Sequence, residues 1–168
     1  MNKDHLLEQA LSYAEAGYSI IPCAQDKSPL TKHGYKDATT DPVTIKQWFS
    51  RESASLIGLV TGSLNNISVI DIDRSRDRSD IDGFTWLEVN KHLLPQTRIV
   101  QSQNGGQHSY YQHSEGLKCS NSAVHKCVDI KADGGYIIAG GHGYEILTDM
   151  PLDKLPRFPM KIFTKTSP

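Results

Sequence analysis

The sequence predicts an α+β protein with helices packed on a mixed or antiparallel sheet. Helical spacing of apolar residues dominates the first half, and short β-branched runs between Gly-rich turns dominate the second. At 168 residues and 38% hydrophobic content, the chain has material for one substantial core rather than two.

Leu6, Leu7, Ala10, Leu11 and Ala14 share one helical face, and Gly17 falls where a left-handed C-terminal cap belongs, so a first helix ends near Ala16. Residues 18–22 form a short apolar strand. A polar loop over 24–40 follows, carrying Lys27-Ser28-Pro29 and the turn former Gly34. Asp41-Pro42 sets an N-cap before proline at the first helical position, and Ile45, Trp48 and Phe49 continue at helical spacing. Residues 56–60 and 67–72 are β-rich runs around a turn-like segment, 61–66, and read as central strands. The charged stretch 73–82 is a loop, after which Phe84, Trp86, Leu87, Val89, Lys91 and Leu93 fit a helix stopped by Pro95. Strands are then expected over 97–101, 107–111, 127–131, 136–139 and 144–146, in mostly antiparallel pairing. Residues 1–150 form the folded domain, and 151–168, with four prolines and little periodicity, form a tail or linker.

Charge and composition limit the function classes. No apolar run approaches the length of a membrane span, and residues 1–10 lack the basic start and unbroken apolar core of a secretory signal, so a cytoplasmic protein is expected. Cys23, Cys119 and Cys127 are too few and odd in number for a disulfide framework. A net charge of −1 and a pI near 6.6 give no overall signature of phosphate gripping, although an acidic site and local basic patches can sum to that total.

Asp71 and Asp73 stand two apart on a strand, so both side chains leave one face and can reach one cation. Two such carboxylates repel unless protonated or sharing a counterion, and their oxygens suit Mg²⁺ or Mn²⁺. The bland alternative is that they end a strand and cap the following loop. Asp129, in Val128-Asp129-Ile130, either points to solvent or is held inward for a task. Asn104-Gly105-Gly106 is a hairpin signal whose exposed amides can meet a phosphate, and His108 lies just past it, able to hydrogen-bond a phosphate oxygen or to pack as an ordinary histidine.

Taken in order, these features resemble the primase-polymerase branch of the archaeo-eukaryotic primase superfamily, found in plasmid, phage and mobile-element replication proteins. The resemblance spans roughly residues 5–150. It is carried by Ala14, Gly17, Tyr18 and Pro22, then Lys27-Ser28-Pro29, Trp48, Ile57-Gly58-Leu59-Val60-Thr61-Gly62, Val69-Ile70-Asp71-Ile72-Asp73, Gly105-Gly106-Gln107-His108, Val128-Asp129-Ile130-Lys131, and Asp133-Gly134-Gly135-Tyr136-Ile137-Ile138. It implies an RRM-like catalytic sheet with helices packed on it and an N-terminal α/β module. It also implies a DNA primase/polymerase using two divalent ions, Mg²⁺ or Mn²⁺, on Asp71, Asp73 and Asp129, with His108 on the nucleotide phosphates. Lys27 and Lys131 are further candidates for triphosphate contacts, and the Gly105-Gly106 backbone lets phosphates approach. Expected partners are a single-stranded DNA template, nucleoside triphosphates and a helicase domain or subunit following the tail, with no membrane.

Three positions depart from the pattern. Gly106 stands where the family commonly has a serine two places before the histidine, leaving Ser102 to supply any hydroxyl. Lys131 replaces a frequent arginine with a point charge. Ala139-Gly140-Gly141-His142 replaces a Pro-Pro-Ser continuation. Competing expectations are a replication-initiator or nucleic-acid-binding domain that kept the fold without the chemistry, a metal-dependent phosphohydrolase or nuclease, and a zinc knuckle from His113, Cys119, His125 and Cys127.

Overall fold

The computed structural model describes residues 2–75 and 82–164. Of the loop expected over 73–82, positions 76–81 lie outside the described residues, as do Met1 and residues 165–168 of the expected tail.

Helix α1 (Lys3–Glu15) opens at Asn2, whose side chain accepts from the His5 amide at 2.8 Å, and buries Leu6, Ala10 and Ala14. Its stop is local: the Gly17 amide donates to the Ala14 carbonyl at φ +94°, a conformation open to glycine. Helix α2 (Pro42–Phe49) starts as its sequence predicts, with Asp41 accepting from the Thr44 amide at 3.1 Å and hydroxyl at 2.6 Å, a cap worth about 1 kcal/mol. Strands β1 (Ile20–Cys23), β2 (Leu56–Val60) and β8 (Tyr136–Gly141) form an antiparallel sheet in the order β1-β2-β8. All four residues of β1 and all five of β2 are buried, as expected where α1 and α2 cover the sheet.

The larger sheet runs β6-β7-β3-β5-β4-β9, antiparallel throughout, from β3 (Ile67–Ile72), β4 (Ile99–Gln101), β5 (Gln107–Gln112), β6 (Ser120–His125), β7 (Val128–Lys131) and β9 (Glu145–Thr148). Helix α3 (Gly83–Asn90) joins β3 to β4 and is prolonged by a 3₁₀ turn, Lys91–Leu93, before Pro95. The molecule is therefore α+β, as predicted, but its sheets are not segregated by chain half. Strand β8 leaves the second half to complete the N-terminal sheet, and β9 returns to the larger one.

Alternation along β3 divides its side chains between two cores. Ile67 and Val69 join Leu6, Ala10, Phe49, Leu59 and Tyr110, whereas Ile70 and Ile72 join Trp86, Tyr111, Val128 and Ile130. Residues 151–168, expected as a tail, are packed as far as the described chain runs. Leu155 belongs to the first core, Phe158 and Ile162 to the second, and helix α4 (Lys161–Thr164) closes the segment. Phe158 meets the Tyr111 ring edge-on at 5.7 Å between centroids. Three isolated apolar residues separated by prolines give no periodic signal, which is why composition alone reads this stretch as a linker.

Candidate metal centre

Register, rather than proximity in sequence, assembles the acidic cluster. Asp71 on β3 pairs with Asp129 on β7 on one side and with His108 on β5 on the other, so all three side chains leave the same face. Asp73 lies one residue past β3. Its amide donates to the Cys127 carbonyl at 2.8 Å and its carbonyl accepts from the Gly83 amide at 2.9 Å, clamping it between the start of β7 and the first turn of α3. Asp129 is oriented by the Ser122 amide, which donates to Oδ1 at 2.8 Å. One carboxylate oxygen from each of Asp71, Asp73 and Asp129 lies within 4.8 Å of the others, and among the described residues no other three potential ligands converge this way.

The electrostatics of the cluster are unfavourable as it stands. Asp73 is exposed as a residue, yet its carboxyl is pushed above the usual carboxylate range, first by desolvation and then by the charges of Asp71 and Asp129, with His108 and Lys27 pulling the other way. A divalent cation would relieve this repulsion, and an all-carboxylate donor set suits Mg²⁺ or Mn²⁺. His108 is 5% exposed. Its Nε2 is 3.4 Å from Asp71 Oδ1, and its buried Nδ1 has no hydrogen-bond partner.

Two cavities meet at Asp71, which with Lys27 lines both. One, about 430 Å³, adds His108 and Lys131 and a wall of Tyr35, Tyr136 and Tyr144. Burial, and then the charge of Asp71, pushes the Tyr144 phenol up to about 12, so it stays neutral at physiological pH. The other, about 510 Å³, adds Asp73, Arg74, Asn104 and Lys126. A larger cavity of about 600 Å³ beside Tyr13 and Arg98 includes none of the clustered acids, so size does not mark the chemistry here.

The structure thus brings Lys27, His108 and Lys131 to one cavity with Asp71. Gly106 lines the second cavity, and Gly105 takes φ +78° in the hairpin turn. Ser102 is 8% exposed at the base of that turn, where its carbonyl accepts from the Gly105 amide at 3.1 Å. The suggested zinc set does not assemble. His113 is buried against Ser68, 2.7 Å from its hydroxyl, and Asp133; Cys119 Sγ accepts from the Ala132 amide at 3.3 Å; His125 accepts from the Cys127 amide at 3.2 Å. Sequence reasoning missed the three tyrosines, Arg74 and Lys126. Tyr136 and Tyr144 flank Gly-rich turns, a position that marks a loop edge without saying what it faces.

An α+β domain whose sheet gathers three carboxylates, one of them lining two cation-bearing cavities, has a donor set that could hold a divalent metal ion. Residues 10–158 match the Prim-Pol family, described as the bifunctional DNA primase/polymerase N-terminal domain, and the chain belongs to that family. The family is one of nucleotidyltransferase-type enzymes of DNA replication, with DNA and nucleotides as substrates. No curated protein matches the chain. Among the described residues no helix is long and apolar enough to cross a membrane.

Proposed function

We propose that this domain catalyses template-directed nucleotidyl transfer, with Asp71, Asp73 and Asp129 holding two divalent ions, Mg²⁺ or Mn²⁺. The observation that carries the reading is the approach of the three carboxylate oxygens to within 4.8 Å beside a cavity lined by Lys27, His108 and Lys131. Bound there, the ions supply Lewis-acid stabilisation of the attacking oxygen and of the charge on the triphosphate. The chain's own groups do the rest. Lys27 and Lys131 neutralise triphosphate oxygens, and His108, which lines the same cavity beside Asp71, hydrogen-bonds one of them. The tyrosine wall takes the base and excludes water from one side. In the transfer itself, the 3′-hydroxyl oxygen bonds to the α-phosphorus as the bond to the departing pyrophosphate breaks, and the hydroxyl proton is lost to solvent.

The strand order β7-β3-β5-β4, with α3 crossing from β3 to β4, supports reading the larger sheet as the RRM-like catalytic module and the smaller sheet with α1 and α2 as the N-terminal one. Burial of Leu155, Phe158 and Ile162 supports extending the catalytic domain beyond residue 150. Primer synthesis and extension on a single-stranded template with Mg²⁺ or Mn²⁺, wild type beside Asp71→Ala, is the direct test. Extended strands from the wild type alone are expected. Monophosphates or cut strands would assign a hydrolase, and template binding without incorporation would assign a non-catalytic initiator.

A further inference from the structure

The cavity of about 600 Å³ away from the acidic cluster carries chemistry that nucleotidyl transfer leaves unused. It is lined by Gln9 and Tyr13 from one face of α1, by Tyr18, by Arg98 immediately before β4, and by Leu152 and Asp153. Buried polar atoms without partners gather here. Among the described residues five such side-chain atoms occur, and three belong to this neighbourhood: Arg98 Nε, Gln9 Oε1 and the hydroxyl of Tyr110, whose ring centre lies 5.6 Å from the Arg98 guanidinium. Arg98 is 7% exposed and donates through Nη1 to Asp149 at 2.9 Å and to the Met150 carbonyl at 3.3 Å. A buried guanidinium with donor capacity to spare calls for an acceptor, and the cavity is where one can enter.

Charge decides what kind of acceptor. Asp149 already neutralises Arg98, and Asp153 adds a second carboxylate. The Tyr18 phenol is raised first by burial and then by the charge of Asp153, so that carboxylate stands near the ring. One cation against two carboxylates repels phosphate. It suits an uncharged ring that offers an acceptor to Arg98 and N–H donors to Asp153, with Tyr13 and Tyr18 supplying faces for it. An amine would leave the Arg98 donors unanswered, and an aliphatic ligand would leave both charged groups so.

We infer that this cavity is a second base-binding site, separate from the metal centre, and that it takes a nucleobase between Arg98, Asp153 and the rings of Tyr13 and Tyr18. The inference goes beyond the nucleotidyl-transfer reading and does not depend on it. A free nucleoside and an unpaired residue of a DNA strand carry the same chemistry, and the test separates them.

Guanosine is the first probe, because its O6 and N7 accept from a guanidinium while N1–H and the 2-amino group meet a carboxylate together. The second probe is a short oligothymidylate with one central guanine, beside the same strand with an abasic residue there. Calorimetric titrations without metal use the wild type, Asp71→Ala, Tyr18→Ala and Asp153→Asn, with far-UV circular dichroism to confirm each fold. Saturable binding is expected in the wild type and Asp71→Ala, weakened roughly tenfold in Tyr18→Ala and in Asp153→Asn. A guanine strand that binds more tightly than the abasic one, with the difference lost in both variants, assigns the base to a DNA strand; guanosine binding with equal affinity for the two strands assigns it to a free nucleoside. Three results overturn the inference: no saturable binding of guanosine or preference for the guanine strand, binding unchanged in both variants, or binding lost instead in Tyr144→Ala, which would put the base at the metal centre. Failure of the transferase reading looks different, as a wild type that extends no primer yet binds the base with the expected dependence on Tyr18 and Asp153.

Discussion

At Asp73 burial and the charges of Asp71 and Asp129 push in the same direction, so the three carboxylates repel one another unless they share a cation. If Asp71 holds the metal as proposed, Asp71→Ala should cut nucleotide incorporation by roughly 10³-fold or more while leaving the fold intact, because the substitution also removes a repulsion. Mn²⁺ should raise the melting temperature of the wild type and fail to raise that of Asp71→Ala, as mass action requires if this cluster is where the ion binds. Asp133 shows the opposite shift. Its carboxyl is held below the usual range chiefly by the Ser63 amide, which donates to Oδ1 at 2.8 Å, with His113 contributing. A depressed folded value stabilises above the unfolded pKa, about 3.9, and the benefit disappears as pH falls through the folded value. Asp133→Asn should therefore melt below the wild type at pH 7, with the gap closing in acid. The spacing of Asp71 and Asp73 is visible in the sequence because strand geometry fixes it. Their union with Asp129 is implied only by the family resemblance, since it depends on the Asp71–Asp129 register, to which no local residue pattern points.

Elements whose signals are local are legible. The Asp41-Pro42 start of α2, the Gly17 stop of α1 and the runs that became β2 and β3 all follow from capping chemistry or β-branched composition. Strand β6 is different: Ser120–His125 has four exposed residues and no apolar alternation, and it is a strand because β7 offers it an edge. The passage of β8 to the smaller sheet is likewise a tertiary choice. The hairpin between β4 and β5 makes a test at this scale. Gly106→Ala would force a Cβ to 2.7 Å from the Ile72 carbonyl oxygen, which cannot retreat without moving β3, and to 2.7 Å from Ser102 Oγ, which must rotate away. A loss of roughly 1–3 kcal/mol in chemical denaturation is expected. Extension activity should fall with it, since Asp73 follows Ile72 directly.

Over the whole molecule, the two cores are joined by shared elements rather than by a linker, and the segment after residue 150 feeds both. Phe158→Ala should cost about 3–5 kcal/mol, a drop of roughly 6–20 °C in Tm by thermal unfolding, by opening a hole beneath Tyr111. Strand β3 has the wider consequence. Because Ile67 and Val69 are rooted in one core and Ile70 and Ile72, on either side of Asp71, in the other, neither core can loosen alone without disturbing the clustered carboxylates. Backbone amides at Ile70 and Asp71 should therefore exchange with deuterium only through global opening, and the chain should resist being split into two halves that each keep a working share of the site.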